Sequence, residues 1–217
     1  MRVVAQGEQV QLAGVAGPLQ AVIEVPVAAA AAPSAFMVVC HPHPLHGGTM
    51  DNKVVTTLAR AAHELSVPSI RFNYRGVGTS AGIYDHGRGE TDDALTAVAH
   101  GRQRWPDASV WLAGFSFGGV VALRASTRHG AATVGRLVTV APALGHNYPA
   151  ARDIEVPQCP WLVVQGDADD VVDPAVNIQW AAQLVPPPRL VVLPGVGHFF
   201  HGQLGALLEQ VRPFLAA

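Results

Sequence analysis

A serine flanked by glycines stands in the middle of the chain, in the stretch GFSFG at residues 114–118. The apolar run SVWLAG before it is typical of a strand, and FGGVVALRAST after it has helical spacing. A sharp turn between a strand and a helix strains its central residue, and glycine neighbours tolerate such a turn because they have no Cβ. The turn would lift the Ser116 hydroxyl clear of the sheet at a helix N-terminus, where negative charge is favoured. The pattern predicts a nucleophile, and a serine that only caps the helix is the alternative.

A nucleophilic serine needs a general base, and a histidine held by a carboxylate commonly supplies one. His198 lies in the stretch GVGHFFHG, directly after the apolar run RLVVLP. This places it in a glycine-rich turn at the end of a predicted strand, so we predict that His198 is the base. His201 lies closer to the final helix, and we expect it to have a packing or surface role.

The acid that would orient this histidine is expected in the loop GDADDVVDP, which contains four aspartates. Asp173 precedes a proline, and such a pair is typical of a helix N-cap followed by the first helical residue. Asp167, Asp169 and Asp170 remain as candidates, and the residues alone do not rank them. A divalent cation is an alternative reason for so acidic a loop, but the D-x-[DN]-x-[DN]-G spacing of a calcium site is missing.

Short apolar runs and helical patterns alternate along the chain and would position these residues. Strands are predicted at residues 19–25, 35–40, 68–74, 109–114, 136–142, 160–166 and 189–195. Helices are predicted at residues 54–65, 90–105, 117–127, 174–184 and 203–216. The alternation predicts an α/β fold with a mostly parallel central sheet and helices on both faces, in a single domain over residues 1–217. In such sheets ligands bind at the carboxyl ends of the strands, where the serine, the histidine and the acidic loop all lie.

The composition argues against several classes of function. The chain has 217 residues, of which 49% are hydrophobic and 14% charged, and this suits one large core. Its net charge is -2 and no basic run occurs, so we expect no nucleic-acid partner and no membrane partner. There is no signal-peptide pattern and no apolar run of about 18 residues, so we expect a cytoplasmic protein. Cys40 and Cys159 show no C-x-x-C spacing and are expected to be reduced thiols.

Several longer stretches resemble those of small, lidless bacterial α/β-hydrolases. They are HPHPLHGGTMDNKVV, RFNYRGVGTSAG, GFSFGG, QGDADDVVDP and GHFFHG, and the resemblance extends over nearly the whole chain. It places the chain near dienelactone-hydrolase-like and serine-peptidase-like members of the α/β-hydrolases. The order serine, acid, histidine along the chain is also that of this fold. The resemblance implies an α/β-hydrolase fold and a Ser-His-Asp triad, with no cofactor and no metal.

The resemblance also assigns the acid and concerns the lid. In the family, the acid typically stands three residues after the glycine that ends its strand. Here that glycine is Gly166, so the acid is assigned to Asp169, with Asp170 as the alternative. Many α/β-hydrolases insert a lid after the strand that here ends near Pro142. Only ALGHNYPAARDIEVPQC separates Pro142 from Pro160, so we expect no lid domain and an open site.

The loop HPHPLHGG, which follows the predicted strand at 35–40, contains three histidines that could bind a metal. We expect no metal there, because hydrolases of this class need none and the acids lie in another loop. His41 and His46 are expected to be hydrogen-bonded scaffold of the loop, and His43 to line the pocket as well.

We predict that this loop supplies a backbone donor to an oxyanion hole. In this fold one backbone N–H comes from the residue after the nucleophile, here Phe117, and the other from the loop after the third strand. The two prolines of the loop have no N–H, so the candidate donors are Leu45 and His43. We predict Leu45, because two glycines follow that would let the loop turn toward the sheet, with His43 as the alternative.

Arg75 begins a second glycine-rich loop, RGVGTSAGIYDHGRGE, at the same edge of the predicted sheet. We expect this loop to form a compact turn beside the site, with Arg75 anchoring backbone carbonyls. A role for Arg75 in binding a substrate carboxylate is the alternative.

These predictions describe a serine hydrolase that cleaves a small ester through an acyl-enzyme intermediate. A serine peptidase or a thioesterase would use the same residues and is the first alternative. A non-catalytic binding domain of the same fold is the second alternative. The presence of Ser116, His198 and neighbouring acids together argues against it.

Overall fold

One eight-stranded sheet forms the centre of the computed structural model, which describes residues 7–27, 32–128, 134–144 and 155–217. The strands in chain order are Gly7–Gly14 (β1), Gly17–Glu24 (β2), Ala35–Cys40 (β3), Ser69–Phe72 (β4), Ser109–Phe115 (β5), Val134–Val140 (β6), Trp161–Gly166 (β7) and Arg189–Leu193 (β8). The helices are Lys53–His63 (α1), Arg88–Arg104 (α2), Phe117–Thr127 (α3), Pro174–Gln183 (α4) and Leu204–Ala216 (α5), with a 3-10 turn at Pro44–His46.

The strand order explains where the functional loops meet. It is β1-β2-β4-β3-β5-β6-β7-β8, and the strands from β4 to β8 in this order are parallel. The β1–β2 hairpin joins β4 in antiparallel orientation. The predicted α/β-hydrolase fold with a mostly parallel sheet is therefore confirmed. Because parallel strands end at one edge, the loops after β3, β5, β7 and β8 are brought together there.

Helices cover both faces of the sheet, and the side chains of β3 show how. Phe36, Val38 and Cys40 pack into a core shared with α2 and α3. Met37 and Val39 point to the opposite face and pack into a core shared with α1 and α5. A strand buried on both faces needs apolar residues at every position, and this accounts for the uninterrupted run AFMVVC.

The loop after β3 is tied to its neighbour β4 by polar side chains. Arg71 Nη1 donates hydrogen bonds to the Met50 carbonyl at 2.7 Å and to Asp51 Oδ1 at 2.9 Å, and Arg71 Nε donates to Glu24 at 3.1 Å. Asn73 Oδ1 accepts from the Met50 N–H at 2.9 Å. The chain between β3 and α1 is therefore held from the strand beside it.

Arg75 does not have the role expected from the sequence. Its Nε and Nη2 donate to the two carboxylate oxygens of Asp93 on α2, at 3.0 Å and 2.8 Å, and its backbone N–H donates to the same carboxylate at 2.9 Å. The expectation that Arg75 anchors backbone carbonyls is wrong, because its Nε and Nη2 groups both donate to the buried Asp93 carboxylate.

The segment between β6 and β7 is where an inserted lid would stand. It comprises residues 141–160, of which 145–154 lie outside the described residues. This length is too short for a lid domain, in agreement with the expectation from the sequence.

Two expectations from composition concern cysteines and membranes. Cys40 and Cys159 are both free thiols, and burial raises the pKa of Cys40 to about 12 and that of Cys159 to about 11. Among the helices that the structure describes, none is both long enough and apolar enough to cross a bilayer.

Candidate active site

Ser116 lies between β5 and α3 in a conformation that few residues adopt, with φ 56° and ψ -119°. The surrounding backbone holds it there. Its N–H donates to the Val140 carbonyl at 2.9 Å, and its carbonyl accepts from the N–H groups of Gly119 at 2.9 Å and Ala143 at 3.1 Å. The Ser116 side chain forms no capping hydrogen bond with α3, so the alternative of a simple helix cap does not describe it.

The glycines around Ser116 are required by close backbone contacts. A Cβ on Gly114 would overlap the Gly118 carbonyl, and a Cβ on Gly118 would overlap the carbonyl oxygens of Cys40 and His41. The first turn of α3 therefore packs directly against the end of β3 and the start of the loop that follows it. Glycine at these positions lets three backbone segments meet beside one hydroxyl.

The structure brings together the three side chains that the sequence singles out. His198 Nε2 lies 3.1 Å from Ser116 Oγ, and His198 Nδ1 lies 2.8 Å from Asp169 Oδ2. All three residues are buried. An ionised carboxylate can only accept, so Nδ1 donates to Asp169 and Nε2 is left to accept the hydroxyl proton of Ser116. This is the arrangement that a general base needs in order to activate a serine.

The other acids of the loop after β7 have different partners. Asp167 Oδ1 accepts from the Gly195 N–H at 2.6 Å. Asp173 caps α4, as predicted, by accepting from the Ala175 N–H at 2.9 Å. Asp170 is exposed to solvent. Of the four aspartates, Asp169 is the one in contact with His198.

Asp169 accepts hydrogen bonds at both carboxylate oxygens. Oδ1 accepts from the N–H groups of Val171 at 3.0 Å and Val172 at 2.8 Å, and Oδ2 accepts from Gln165 Nε2 at 3.1 Å as well as from His198. Burial by itself raises the pKa of Asp169, but the hydrogen bonds from His198 and from the two backbone amides outweigh it. The pKa of Asp169 therefore lies below its ordinary value of 3.8, and the carboxylate is charged at neutral pH.

Gln165 is a contact of the site that the sequence predictions omit. A signal for it exists, because Gln165 is the one amide in the otherwise apolar run PWLVVQG that forms β7. A polar side chain within a strand buried on both faces needs hydrogen-bond partners, and in this strand the partners include Asp169.

The histidines of the loop after β3 have separate environments. His41 is fully buried, its Nε2 accepts from the Tyr74 N–H at 3.1 Å, and its Nδ1 donates to the Pro42 carbonyl at 2.7 Å. Burial lowers the pKa of His41 to about 3, so it is neutral scaffold, as expected. His46 is exposed, with its ring 4.6 Å from that of His43. Within the described ranges, no group of three His, Cys, Asp or Glu side chains is arranged to hold a metal.

The two candidate oxyanion donors of this loop also differ. The Leu45 N–H donates to Nδ1 of the His43 ring at 3.2 Å, inside the 3-10 turn, and the Leu45 side chain is 67% exposed. The His43 ring packs against the ring of Phe117, with centroids 5.1 Å apart. The loop therefore approaches the residue after Ser116 at His43, and the Leu45 amide is engaged within its own turn.

Several known proteins are similar to this chain in sequence and in structure. The sequence matches the family described as serine aminopeptidase, S33, over residues 31–156. A lidless α/β serine hydrolase from Xanthomonas campestris has a similar structure, with a TM-score of 0.89 and 40% identity over 97% of this chain and 94% of that chain. An α/β serine hydrolase homologue from Coxiella burnetii has a TM-score of 0.89 and 39% identity over 99% of this chain and 100% of that chain.

A further relative is an uncharacterized protein of Rickettsia prowazekii. It is 35% identical over an alignment of 154 residues that covers 69% of this chain. The chain spans 63% of the length of that relative.

Proposed function

The chain belongs to the α/β serine hydrolases, and from that premise we propose that it hydrolyses small ester substrates through Ser116, Asp169 and His198. The observation behind the proposal is the continuous contact from Ser116 Oγ to His198 Nε2 and from His198 Nδ1 to Asp169 Oδ2. The proposal takes residues 1–217 as one catalytic domain, because all eight described strands join a single sheet.

The reaction has two halves. In the first, Ser116 Oγ attacks the ester carbonyl while His198 Nε2 takes the hydroxyl proton, and Asp169 stabilises the imidazolium that forms. The tetrahedral intermediate collapses, the bond to the alcohol oxygen breaks, and His198 returns the proton to the departing alkoxide. In the second half, water attacks the acyl-enzyme with His198 again as base, and the acid leaves as Ser116 regains its proton.

The negative oxygen of each intermediate needs backbone donors. We assign one to the Phe117 N–H at the start of α3. For the second donor we choose His43 in place of Leu45. The Leu45 amide already donates to the His43 ring, and His43 is the residue of this loop that lies against Phe117.

The expected size of the substrate follows from the length of the segment between β6 and β7. This segment has no length for a lid domain, so a long acyl chain would lack the cover that a lid domain provides. A cavity of about 360 Å³ lies beside Phe199, but Ser116, Asp169 and His198 do not line it. The expected size of the substrate therefore rests on the short segment between β6 and β7 and not on this cavity.

The experiment that tests the proposal is turnover of p-nitrophenyl esters of increasing acyl length, with and without the Ser116→Ala substitution. We expect hydrolysis of the acetate and butyrate esters, weak or no hydrolysis of the palmitate ester, and loss of activity in Ser116→Ala. A fluorophosphonate probe should label the wild type at Ser116. Absence of both turnover and labelling would overturn the enzyme hypothesis in favour of a binding domain.

The matched family supplies a reason to test a second activity. Its description as serine aminopeptidase favours a peptidase, and the same proton transfer by His198 serves an amide leaving group. Aminoacyl p-nitroanilides and a short acyl thioester belong in the same panel. A kcat/KM for an anilide or thioester above that for every ester would replace the esterase proposal. EDTA should leave the rate unchanged, and sensitivity to it would indicate a metal.

A further inference from the structure

Two amide side chains lie buried behind Asp169. Gln165 is on β7 and Asn177 on α4, and both are 0% exposed. Gln165 Nε2 donates to Asp169 Oδ2 at 3.1 Å, and Gln165 Oε1 accepts from Asn177 Nδ2 at 2.7 Å. Asn177 Nδ2 also donates to the Pro142 carbonyl at 2.8 Å. A continuous chain of hydrogen bonds therefore runs from the backbone after β6 to the carboxylate that contacts His198.

The acceptors at the two ends of this chain fix the orientation of both amides. The Pro142 carbonyl can only accept, so the NH₂ group of Asn177 must face it. The same NH₂ group lies against Gln165, so the carbonyl oxygen of Gln165 must be on that side. Gln165 then presents its own NH₂ group to Asp169, whose ionised carboxylate also only accepts. Each amide thus has one orientation that satisfies its neighbours.

The remaining oxygen of Asn177 argues that this residue serves more than stability. Within the part of the chain that the structure describes, Asn177 Oδ1 is buried and has no hydrogen-bond partner. A buried acceptor without a partner disfavours folding. The hydrogen bonds that its NH₂ group donates to Gln165 and Pro142 are the reason to keep an amide at this position.

The chain of hydrogen bonds also returns to the nucleophile. Ala143, the residue after Pro142, donates its N–H to the carbonyl of Ser116 at 3.1 Å. The backbone after β6 therefore contacts Ser116 directly and reaches Asp169 through Asn177 and Gln165. Ser116 and Asp169 are therefore both held in place by contacts that begin at residues 142–143.

We propose that Gln165 and Asn177 are positioning residues that hold the Asp169 carboxylate in the orientation in which it meets His198. The proposal rests on the function proposed above. Asp169 Oδ2 accepts from both His198 and Gln165, so rotation of the carboxylate would break two hydrogen bonds at once. Gln165 Nε2 also donates to the Gly166 carbonyl at 3.0 Å, so Asn177 is one of two contacts besides Asp169 that orient the Gln165 amide. Loss of Asn177 would weaken this orientation and allow the Gln165 oxygen to turn toward Asp169, where two acceptors would repel.

The test is the volume-conserving substitution Gln165→Met, which removes the donor and leaves Asp169 in place. We expect kcat for a p-nitrophenyl ester to fall about tenfold with KM within about twofold, since a hydrogen bond to a charged group contributes on that order. The rate of fluorophosphonate labelling at Ser116 should fall by the same factor. Asn177→Leu should lower kcat in the same direction.

The pH profile separates a positioning role from a structural one. Removal of the Gln165 donor leaves the negative charge of Asp169 less neutralised, so protonated His198 is stabilised and the acidic limb of kcat/KM moves to higher pH. Besides Asp169, the His198 ring contacts Ser116 Oγ and the rings of Phe115 and Phe199, none of which carries a charge. The shift therefore reports the carboxylate of Asp169.

Thr139→Val is the matched control. Thr139 is fully buried on the adjacent strand β6 and accepts from Trp161 Nε1 at 3.0 Å, away from the proposed chain. This variant loses a buried hydrogen bond and should keep the wild-type pH profile.

A double substitution completes the test. If Gln165 acts through Asp169, then Gln165→Met combined with Asp169→Asn should be no slower than Asp169→Asn alone. A multiplicative loss in the double variant, or a Gln165→Met profile that superposes on wild type, would overturn the positioning role. Full activity in Ser116→Ala would instead overturn the proposed function, so the two failures are distinguishable.

Discussion

Arg75 and Asp93 form a two-bond ion pair that is almost completely shielded from solvent, with side chains 10% and 0% exposed. The pair joins the loop after β4 to α2, and the Arg75 N–H adds a third hydrogen bond to the same carboxylate. The Arg75 side chain therefore stabilises the fold at the edge of the sheet where the site lies. Because it is paired with Asp93, we expect no role for it in binding a substrate carboxylate.

Asp93→Ala should therefore destabilise the protein strongly. It would leave a guanidinium buried without its partner, and breaking a buried pair in this way costs about 3–5 kcal/mol. Urea unfolding would measure the change. Asp92→Ala is the control, because Asp92 pairs with Arg128 on the surface, where both side chains are more than a third exposed and such a pair contributes about 0–1 kcal/mol. Equal losses in the two variants would contradict the prediction.

Asp169→Asn should lower kcat for the preferred ester by roughly 10⁴-fold. The amide NH₂ would face His198 Nδ1 and favour the tautomer in which Nε2 carries a proton, so His198 could no longer accept from Ser116. Asp170→Asn should leave kcat within about twofold, because Asp170 is exposed. Steady-state kinetics on both variants would decide the matter, and a larger loss for Asp170→Asn would reassign the acid.

His41 should make the protein less stable as pH falls through the mildly acidic range. Its pKa is lowered from 6.5 to about 3 in the folded state because the ring is buried. Between these two values the unfolded chain binds a proton that the folded chain does not, so the stabilising effect of neutral His41 is full above pH 6.5 and falls by about 1.4 kcal/mol per pH unit below it.

His41→Asn keeps a donor that can reach the Pro42 carbonyl but cannot titrate. Between pH 4 and pH 6, the slope of unfolding free energy against pH should therefore be smaller in this variant than in wild type. The difference should be about 1.4 kcal/mol per pH unit, which corresponds to one proton. Urea unfolding at a series of pH values would measure both slopes, and identical slopes would show that His41 does not contribute.

Gly118→Ala should damage both stability and activity. The new Cβ would overlap the carbonyl oxygens of Cys40 and His41, and these belong to the backbone, which cannot swing aside as a side chain can. We expect a loss of about 1–3 kcal/mol in unfolding free energy. We also expect a lower kcat, because the loop that we propose to supply an oxyanion donor would be pushed away from Ser116.

Gly205→Ala is the matched control for this substitution. A Cβ on Gly205 meets nothing within 4 Å, and Gly205 lies in the first turn of α5. Alanine is favoured over glycine by up to about 1 kcal/mol in a helix interior, and by less at a helix end. Gly205→Ala should therefore be as active as wild type and slightly more stable. Wild-type activity in Gly118→Ala would show that the close contact between the turn at Ser116 and the loop after β3 is not needed for catalysis.

Much of the fold can be predicted from the sequence, because a strand buried on both faces needs an uninterrupted apolar run, as AFMVVC in β3 illustrates. Strand β1 is the exception among the described strands. Its sequence GEQVQLAG has only three apolar side chains in eight residues, since β1 is an edge strand in which Leu12 is the one buried residue. A strand that depends on its neighbour for hydrogen bonds, with few apolar residues of its own, leaves little trace in hydrophobic periodicity.

The residues of the candidate site also differ in how clearly the sequence indicates them. Ser116 and His198 stand in turns whose glycines mark them, so spacing predicts them. Asp169 could not be separated from Asp170 by residue type, because the choice depends on which carboxylate turns toward His198. Our proposal for the second oxyanion donor depends on a side-chain contact: the His43 ring accepts from the Leu45 N–H, and the positions of prolines and glycines in the sequence do not reveal that contact.

The exposed residues of the flanking loops have a consequence for how this scaffold can change. Leu45 is 67% exposed and Phe199 is 51% exposed, and they stand on the two loops that approach Ser116. Substitutions at exposed positions usually alter folding free energy by no more than about 0.5 kcal/mol. Saturation libraries at Leu45 and Phe199 should therefore retain folded protein in nearly every member, which makes these two positions the natural starting point for altering substrate preference by directed evolution.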